Sequence, residues 1–430
     1  MIETKFKKSE VGLIPEDWEL KLFEDICSTK SGGTPSREVK EFFSGNIPWV
    51  TTGELNDGYI YDTTEHISEA AVVNSSAKVF PAGTLLMAMY GATIGKLGIT
   101  KVDAATNQAC CAIFLKNDEQ KYVFYKLLFD RPQLVAKGYG AGQPNISQAV
   151  IKKLQYAFPS KTEQSRIADA LSDIDDLIST TKKLIEKKRN IKEGAMQDLL
   201  SGKRRIKKFE TDKKLKQTSI GFIPCNWEID KIGEQFEFLP NNTLPREEMS
   251  DNGVVQNIHY GDVLIKFGSI VDVQKDDVPY ISNPNFKPNY LIKDGDVIIA
   301  DTAEDETVGK ATEITNVADN KIVSGLHTMW LHPINKGRYG LGFLGYAFNA
   351  RIYHNQLLPL MQGTKVTSIS KTAIQDTYLV VPPKSEQEAI VSTLSAMDEE
   401  IQSLEVRLTK YQSLKQGMMQ QLLTGKIRLI

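Results

Sequence analysis

Late in the chain, ten positions recur at alternating steps of four and three: Ile390, Leu394, Met397, Ile401, Leu404, Leu408, Tyr411, Lys415, Met418 and Leu422. All but Lys415 are apolar or aromatic. A seam of this period predicts a long helix packed against a partner helix. A second stretch keeps the register with Ile167, Leu171, Ile174, Ile178, Thr181, Ile185, Lys188, Lys192, Ala195 and Leu199. Its middle is more polar. Thr181, Lys188 and Lys192 are suited to fixing register against the partner, a known use of polar seam residues. Ser201-Gly202 and Thr424-Gly425 read as helix stops, and Lys203, Arg205, Lys426 and Arg428 suit the negative helix end. At 1.5 Å per residue each helix should span roughly 50 Å.

Elsewhere the pattern shortens. Thr84–Tyr90 and Asp296–Ala300 are apolar runs bounded by glycine, which predicts buried strands. Gln120–Phe129 and Gly342–Phe348 read as helical. These stretches describe two α+β heads of about 150 residues each, within the usual domain range.

The two helices are copies of one segment. A constant shift of 223 residues carries Pro159 onto Pro382, Glu163 onto Glu386, Gln164 onto Gln387, Leu200 onto Leu423 and Gly202 onto Gly425. An opening motif recurs as well: Gly12-Leu13-Ile14-Pro15-Glu16-Asp17-Trp18-Glu19 returns as Gly221-Phe222-Ile223-Pro224-Cys225-Asn226-Trp227-Glu228. Each half therefore runs opening motif, variable head, long helix. The expected fold class is α+β: two globular heads separated by two long helices that form an antiparallel coiled coil, with a pseudo-two-fold internal repeat. The expected boundaries are residues 1–158 for the first head, 159–206 for the first helix, 207–381 for a linker and the second head, and 382–430 for the second helix. Antiparallel pairing would give a rod with two inverted heads, a shape that fits two segments of one face of duplex DNA.

Composition adds limits. At 430 residues the chain can bury more than one core. The net charge of −2 does not advertise nucleic-acid binding, but the acids gather in the duplicated helices and leave the heads more basic. No run of about 18 apolar residues is present to span a membrane, and the first residues lack an apolar signal core. Cys27, Cys110, Cys111 and Cys225 form no CxxC pair, which fits reduced thiols and a cytoplasmic protein.

Catalytic motifs are near misses. Gly91-Ala92-Thr93-Ile94-Gly95-Lys96-Leu97 is one residue short of a P-loop and has Leu97 where a hydroxyl is needed. Gly138-Tyr139-Gly140-Ala141-Gly142 does not follow a strand in a βαβ pattern. Asn283-Pro284-Asn285-Phe286 approaches the Asn-Pro-Pro-Tyr/Phe motif of amino-methyltransferases, but Asn285 replaces a proline, so it reads as a turn. Asp176, Glu186 and Lys188 mimic a nuclease set but fall on the heptad helix. His327 and His332 have no third ligand at metal spacing, so no metal site is expected and His327 is grouped with DNA contacts.

The polar loops suit surface reading. Candidate DNA contacts in the first head are Ser31, Thr34 and Arg37, then Tyr90, Thr93 and Lys96, then Tyr139, Gln143, Asn145 and Ser147. In the second head they are Thr302, Thr307, Lys310, His327, Gln362, Thr364, Lys365 and Thr367. Gln and Asn can bond adenine, Arg and Lys guanine, and hydroxyls can take phosphates.

With these motifs in place, the chain resembles the specificity subunit of Type I restriction–modification systems. The opening motif at residues 12–19 and its second copy carry the resemblance. So do Pro-x-x-x-Glu-Gln-x-x-Ile at 159–167 and 382–390, and Leu-Leu-Ser/Thr-Gly-Lys at 199–203 and 422–426. The resemblance spans essentially the whole chain. It implies two target-recognition domains, each reading half of a split DNA sequence, on helices that measure the spacer. It also implies two methyltransferase subunits, and restriction subunits that translocate DNA. Adenosylmethionine, ATP and magnesium would then be bound by those partners and not by this chain. Two other readings stay open at this point: a fused adenine-N6 DNA methyltransferase, and a coiled-coil scaffold that binds only protein.

Overall fold

The structure, a computed structural model, describes residues 4–136, 145–210, 214–363 and 365–430. The chain divides into two compact units, Met1–Lys182 with Val406–Ile430, and Lys183–Glu405.

In the first unit the principal elements are β1 (Cys27–Ser31), β2 (Gly58–Ile60), β3 (Leu85–Ala88), β4 (Leu97–Thr100), β5 (Cys110–Leu115) and α1 (Gln120–Ala136). Then comes the long helix α2 (Lys161–Ser201), whose first part belongs here. The five strands form one sheet in the order β1-β5-β3-β4-β2. All neighbours are antiparallel except β4 and β2, which are parallel. The middle strand β3 is buried at every residue, as expected from its uninterrupted apolar run. A smaller four-stranded sheet lies in the same head, with Ile47–Val50 parallel to Ala104–Thr106.

The second unit repeats this plan with β6 (Phe236–Leu239), β7 (Ile270–Asp272), β8 (Val297–Ala300), β9 (Ala311–Thr315), β10 (Thr328–Pro333), the short helix α3 (Phe343–Phe348) and the first part of the long helix α4 (Lys384–Leu422). Its sheet order is β6-β10-β8-β9-β7, again with one parallel pair, β9 and β7. Element for element this is the same sheet. Divergent sequences thus keep one scaffold.

The long helices contain 41 and 39 residues, or about 60 Å at the usual rise, longer than the sequence estimate. Their ends are part of the heads. Ile167, Ala168 and Leu171 of α2 share one buried core with Phe23, Tyr122 and Phe158 of the first head, with Met419 and Leu422 from the end of α4, and with Leu423 just after it. In the second unit Met196, Leu199 and Leu200 of α2 join Ile390 and Leu394 of α4 around Phe236, Phe343 and Tyr353. Six residues assigned to the heptad seam, Ile167, Leu171, Leu199, Ile390, Leu394 and Leu422, therefore also fill head cores. Ile174, Ile401 and Leu404 are buried, and Ile178, Met397 and Leu408 are half-buried.

Each unit closes with the same device. Helix α2 ends on Gly202 at φ +71° and α4 is followed by Gly425 at φ +70°, the left-handed conformation that glycine adopts without penalty. A Cβ at Gly202 would lie 2.4 Å from Pro224, and one at Gly425 would lie 2.3 Å from Pro15. The glycine thus serves twice, ending the helix and admitting the opening motif. Beyond it, Arg205 grips Glu386 through Nε and Nη2 at 2.8 and 2.6 Å. Arg428 binds Glu163 in the same way, with both contacts at 2.7 Å, and also binds Asp17. The sequence offered these arginines as partners for the helix dipole. Their actual partners are the glutamates of the repeated Glu-Gln pair, at the start of the other long helix. Gln164 and Gln387, the other half of that pair, bond head backbone: Gln164 accepts from Glu119 N–H and Gln387 from Gly340 N–H.

The polar middle of the α2 seam is also resolved. Lys188 pairs with Glu400 at 2.7 Å and Lys192 with Asp398 at 2.5 Å. These are antiparallel cross-helix contacts within the second unit.

One buried charge sets a pH dependence. Glu313 on β9 is fully buried, and its carboxyl accepts the Gly342 and Gly345 N–H groups at 2.7 and 2.9 Å. Burial raises its pKa to about 7. A carboxyl raised in the folded state is best tolerated below its ordinary pKa and costs stability as pH rises towards the folded value. From pH 4.5 to 7 the unfolding free energy should carry a downward contribution of about 3 kcal/mol. Chemical denaturation across that range should show Glu313→Gln with a flatter slope. An unchanged slope would refute the assignment.

Candidate nucleic-acid interface

The sequence-predicted residues fall into groups at the loops of each head. In the first head, Tyr90 follows β3 and forms an isolated antiparallel bridge with Asn145. Thr93 Oγ1 donates to the Tyr90 carbonyl, and Ile146 N–H to that of Met89. Tyr90 and Asn145 are exposed, and Lys96 is half-buried at the end of the same turn. Ser147 accepts from Val150 N–H and caps a short helix, a structural use of its hydroxyl. Gln148, next in sequence, spans Thr29 at 2.8 Å and Ser31 at 2.6 Å. Tyr139 and Gln143 lie outside the described residues.

The second head repeats the arrangement. Thr302, which follows β8, pairs with Ser368, and Ala303 with Thr367. Gln362 bridges Ser368 from the other side. His327 Nδ1 sits 3.4 Å from both Asp301 and Thr302 Oγ1. Thr302, His327, Gln362 and Thr367 thus form one cluster, at the place where the first head has Tyr90 and Asn145. Lys365 is exposed beside it; Thr364 lies outside the described residues.

Other predicted residues stand apart. Thr307 is held by Asp305 at 2.5 Å. Lys310 donates to the Leu264 carbonyl at 2.7 Å and lines a cleft of about 890 Å³ with Lys192, Tyr346 and Asp398. Burial, with Lys192 nearby, lowers its pKa. In the first head the Ser31–Arg37 loop is not free. A Cβ on Gly32 would lie 2.0 Å from the Thr106 carbonyl oxygen, so the loop is pressed onto the smaller sheet. Thr34 bonds Gln108 at 2.6 Å. Arg37 forks onto Glu65 at 2.5 and 2.9 Å and lies 4.5 Å from the Phe43 ring. These hydrogen bonds hold the Glu65 carboxyl below its usual range.

Sequence reading missed Arg246. It stands 209 residues after Arg37, the shift that relates the two opening motifs, and it pairs with buried Asp262 at 2.5 Å. Side chains of both arginines remain more than half exposed, at 58% and 55%. Applying the 209-residue shift beyond the opening motif would have found it. Tyr260 was also missed; it stacks edge-on with His327 at 5.3 Å and lies 4.6 Å from His259.

The near-miss motifs have structural roles. Asn283–Phe286 is a turn closed by Phe286 N–H on the Asn283 carbonyl. His332 bonds the buried Asp296 at 2.6 Å, which Trp330 also contacts. Among the described residues no group of three or more His, Cys, Asp or Glu is placed to hold a metal ion, and no helix is long and apolar enough to cross a membrane.

The chain is 25% identical over 441 residues to the Type I restriction enzyme MjaIX specificity subunit of Methanocaldococcus jannaschii, covering 99% of this chain and 97% of the relative. Its fold matches the crystal structure of a Type I restriction–modification S subunit from M. genitalium, with TM-score 0.56, 15% identity, and 98% and 99% of the two chains covered. A second solved structure, described as the structural basis underlying complex assembly and conformational transition of the type I R-M system, matches with TM-score 0.57 and 16% identity over 96% of this chain and 99% of that one. The family model for the Type I restriction modification DNA specificity domain matches twice, over residues 15–187 and 224–411. The two matches fall one on each repeat, and the chain belongs to this family, whose domain supplies DNA sequence recognition to type I restriction–modification systems.

Proposed function

We propose that each head reads one half of a bipartite, asymmetric DNA site, and that the paired helices set the unread spacer. The carrying observation is one sheet plan in two heads, with different side chains at equivalent bridge positions: Tyr90 with Asn145, and Thr302 with Ser368. The DNA contacts in this reading are the exposed residues of those clusters, with Arg37, Arg246 and Lys365.

The helices receive two methyltransferase subunits, to which restriction subunits add. Supporting this, Leu177, Leu184 and Ile191 recur every seven residues on α2 and are 47%, 38% and 47% exposed. Leu414 of α4, the repeat equivalent of Ile191, is 52% exposed. An exposed heptad stripe suits a further helix. Adenosylmethionine, ATP and magnesium are used by the partners, and the assembly works in the cytoplasm, where its DNA is.

Methylation profiling of host DNA with and without this gene tests the reading. The expected loss is confined to one two-part motif with a fixed gap. Loss of a continuous motif, or no loss, would refute it. At finer grain, Gln362→Ala or Lys365→Ala in the assembled complex should weaken specific binding by about 1–3 kcal/mol if the side chain touches a base edge. Fluorescence anisotropy would read this, and unchanged affinity and sequence preference would remove that residue from the interface.

A further inference from the structure

Two four-residue clusters join the heads to the helices, one in each unit. In the first unit, Tyr125 of α1 donates to Asp175 Oδ2 at 2.8 Å, with Ser172 Oγ at 3.5 Å. Asp175 also pairs with Lys415 of α4 at 2.6 Å. The Lys415 ammonium lies 5.5 Å from the centre of the Tyr125 ring. In the second unit, Tyr346 of α3 donates to Asp398 Oδ2 at 2.8 Å, with Ser395 at 3.2 Å. Asp398 pairs with Lys192 of α2, whose ammonium is again 5.5 Å from the tyrosine ring.

The clusters are copies. Ser172 and Ser395, Asp175 and Asp398, and Lys192 and Lys415 are each 223 residues apart. Each cluster takes its tyrosine from the head, its serine and aspartate from that head's own long helix, and its lysine from the other long helix. Both tyrosines are buried among apolar neighbours, where phenylalanine would fill nearly the same space. The hydroxyl is therefore not needed for packing. It joins a charge-assisted contact, which is stronger and more directional than a neutral one. The aspartate can hold tyrosine and lysine together at only one register of the helix pair. A slip of either helix would separate the lysine and free the tyrosine.

We propose that Tyr125, Tyr346, Asp175, Asp398, Lys192 and Lys415 are positioning residues that couple the seating of each head to the register of the helix pair, and so set how strictly the spacer length is read. This rests on the reading of two half-sites at a fixed separation. It assigns the strictness to particular side chains outside both DNA-facing clusters. Helix length would set the mean spacer, and these contacts would set its tolerance.

The test uses the assembled methyltransferase complex and duplexes carrying both half-sites with the native spacer, or with one base pair more or fewer. Tyr125→Phe/Tyr346→Phe should raise methylation on the altered spacers relative to the native one by about tenfold, the ratio that one lost hydrogen bond to a charged group corresponds to. Lys192→Met/Lys415→Met should act in the same direction, and Lys192→Arg/Lys415→Arg should restore most of the discrimination. A merely structural role would lower methylation on all spacers alike. That result in the variants, or an unchanged ratio, overturns the inference while leaving the half-site reading intact. A wild-type complex with no preferred spacer overturns both.

Discussion

Arg205→Ala should lower the unfolding free energy of the second unit by about 3–5 kcal/mol, the usual range when one partner of a buried ion pair is removed. The side chains of Arg205 and Glu386 are 6% and 1% exposed. Glu386 also accepts from the Trp227 indole at 3.0 Å. Without the guanidinium the carboxylate keeps the neutral Trp227 donor and little water, so its place in the core is poorly compensated. Asn226, a further partner of Arg205 at 3.2 Å, lies in the opening motif and would lose that hold on the helix end. Urea denaturation measures the loss. The double variant Arg205→Ala/Glu386→Gln should recover part of it, because the uncompensated charge is gone. A single-variant loss below about 1 kcal/mol would mean that the pair is screened as surface pairs are.

Exchange of residues 1–158 for the head of another family member should change one half of the recognised sequence and leave the other half and the spacer unaltered. With about three base pairs changed, at 1–3 kcal/mol each, affinity for the original site should fall by more than about a hundredfold. The cut follows the strand Gln155–Phe158, which pairs with Glu19–Leu22 and ties the two ends of the head together. The incoming head must cover Ile167, Leu171, Leu422 and Leu423, which stay behind. A head with smaller residues at Phe23 or Phe158 would leave a cavity, at about 2–5 kcal/mol for a large truncation. Methylation profiling of the exchange decides. A change in both half-sites, or in the gap alone, would contradict independent reading by the heads.

Much of this was legible in the sequence because it is periodic or repeated. The heptads gave the helices, the uninterrupted apolar runs at 85–88 and 297–300 gave the central strands, and the 223-residue shift exposed the duplication. What stayed hidden depends on contacts between distant segments. Nothing local shows that Arg428 meets Glu163, 265 residues away, or that the polar seam lysines Lys188 and Lys192 find Glu400 and Asp398 on the opposite helix. The tyrosines of the two clusters are 221 residues apart, so a search at constant shift passes over them. Glu313 looks like an ordinary strand acid until the start of α3, at Gly342–Gly345, closes over it. Among the candidate DNA residues, the turns after β3 and β8 were legible from glycine and hydroxyl content. The separation of Lys310 and Thr307 from the Thr302 cluster needed the fold.

The two units differ in how they can be made on the ribosome. The second unit is one unbroken stretch, Lys183–Glu405, and can close its core as soon as that stretch has emerged. The first unit is interrupted: its head is synthesised first, yet its core is completed by Met419, Leu422 and Leu423. During translation the earlier head must wait, with Ile167 and Leu171 only partly covered, until almost everything else has been built. A ribosome that stalls after the second head would release a chain whose oldest domain is still unfinished, and that exposed apolar surface is what chaperones and proteases recognise.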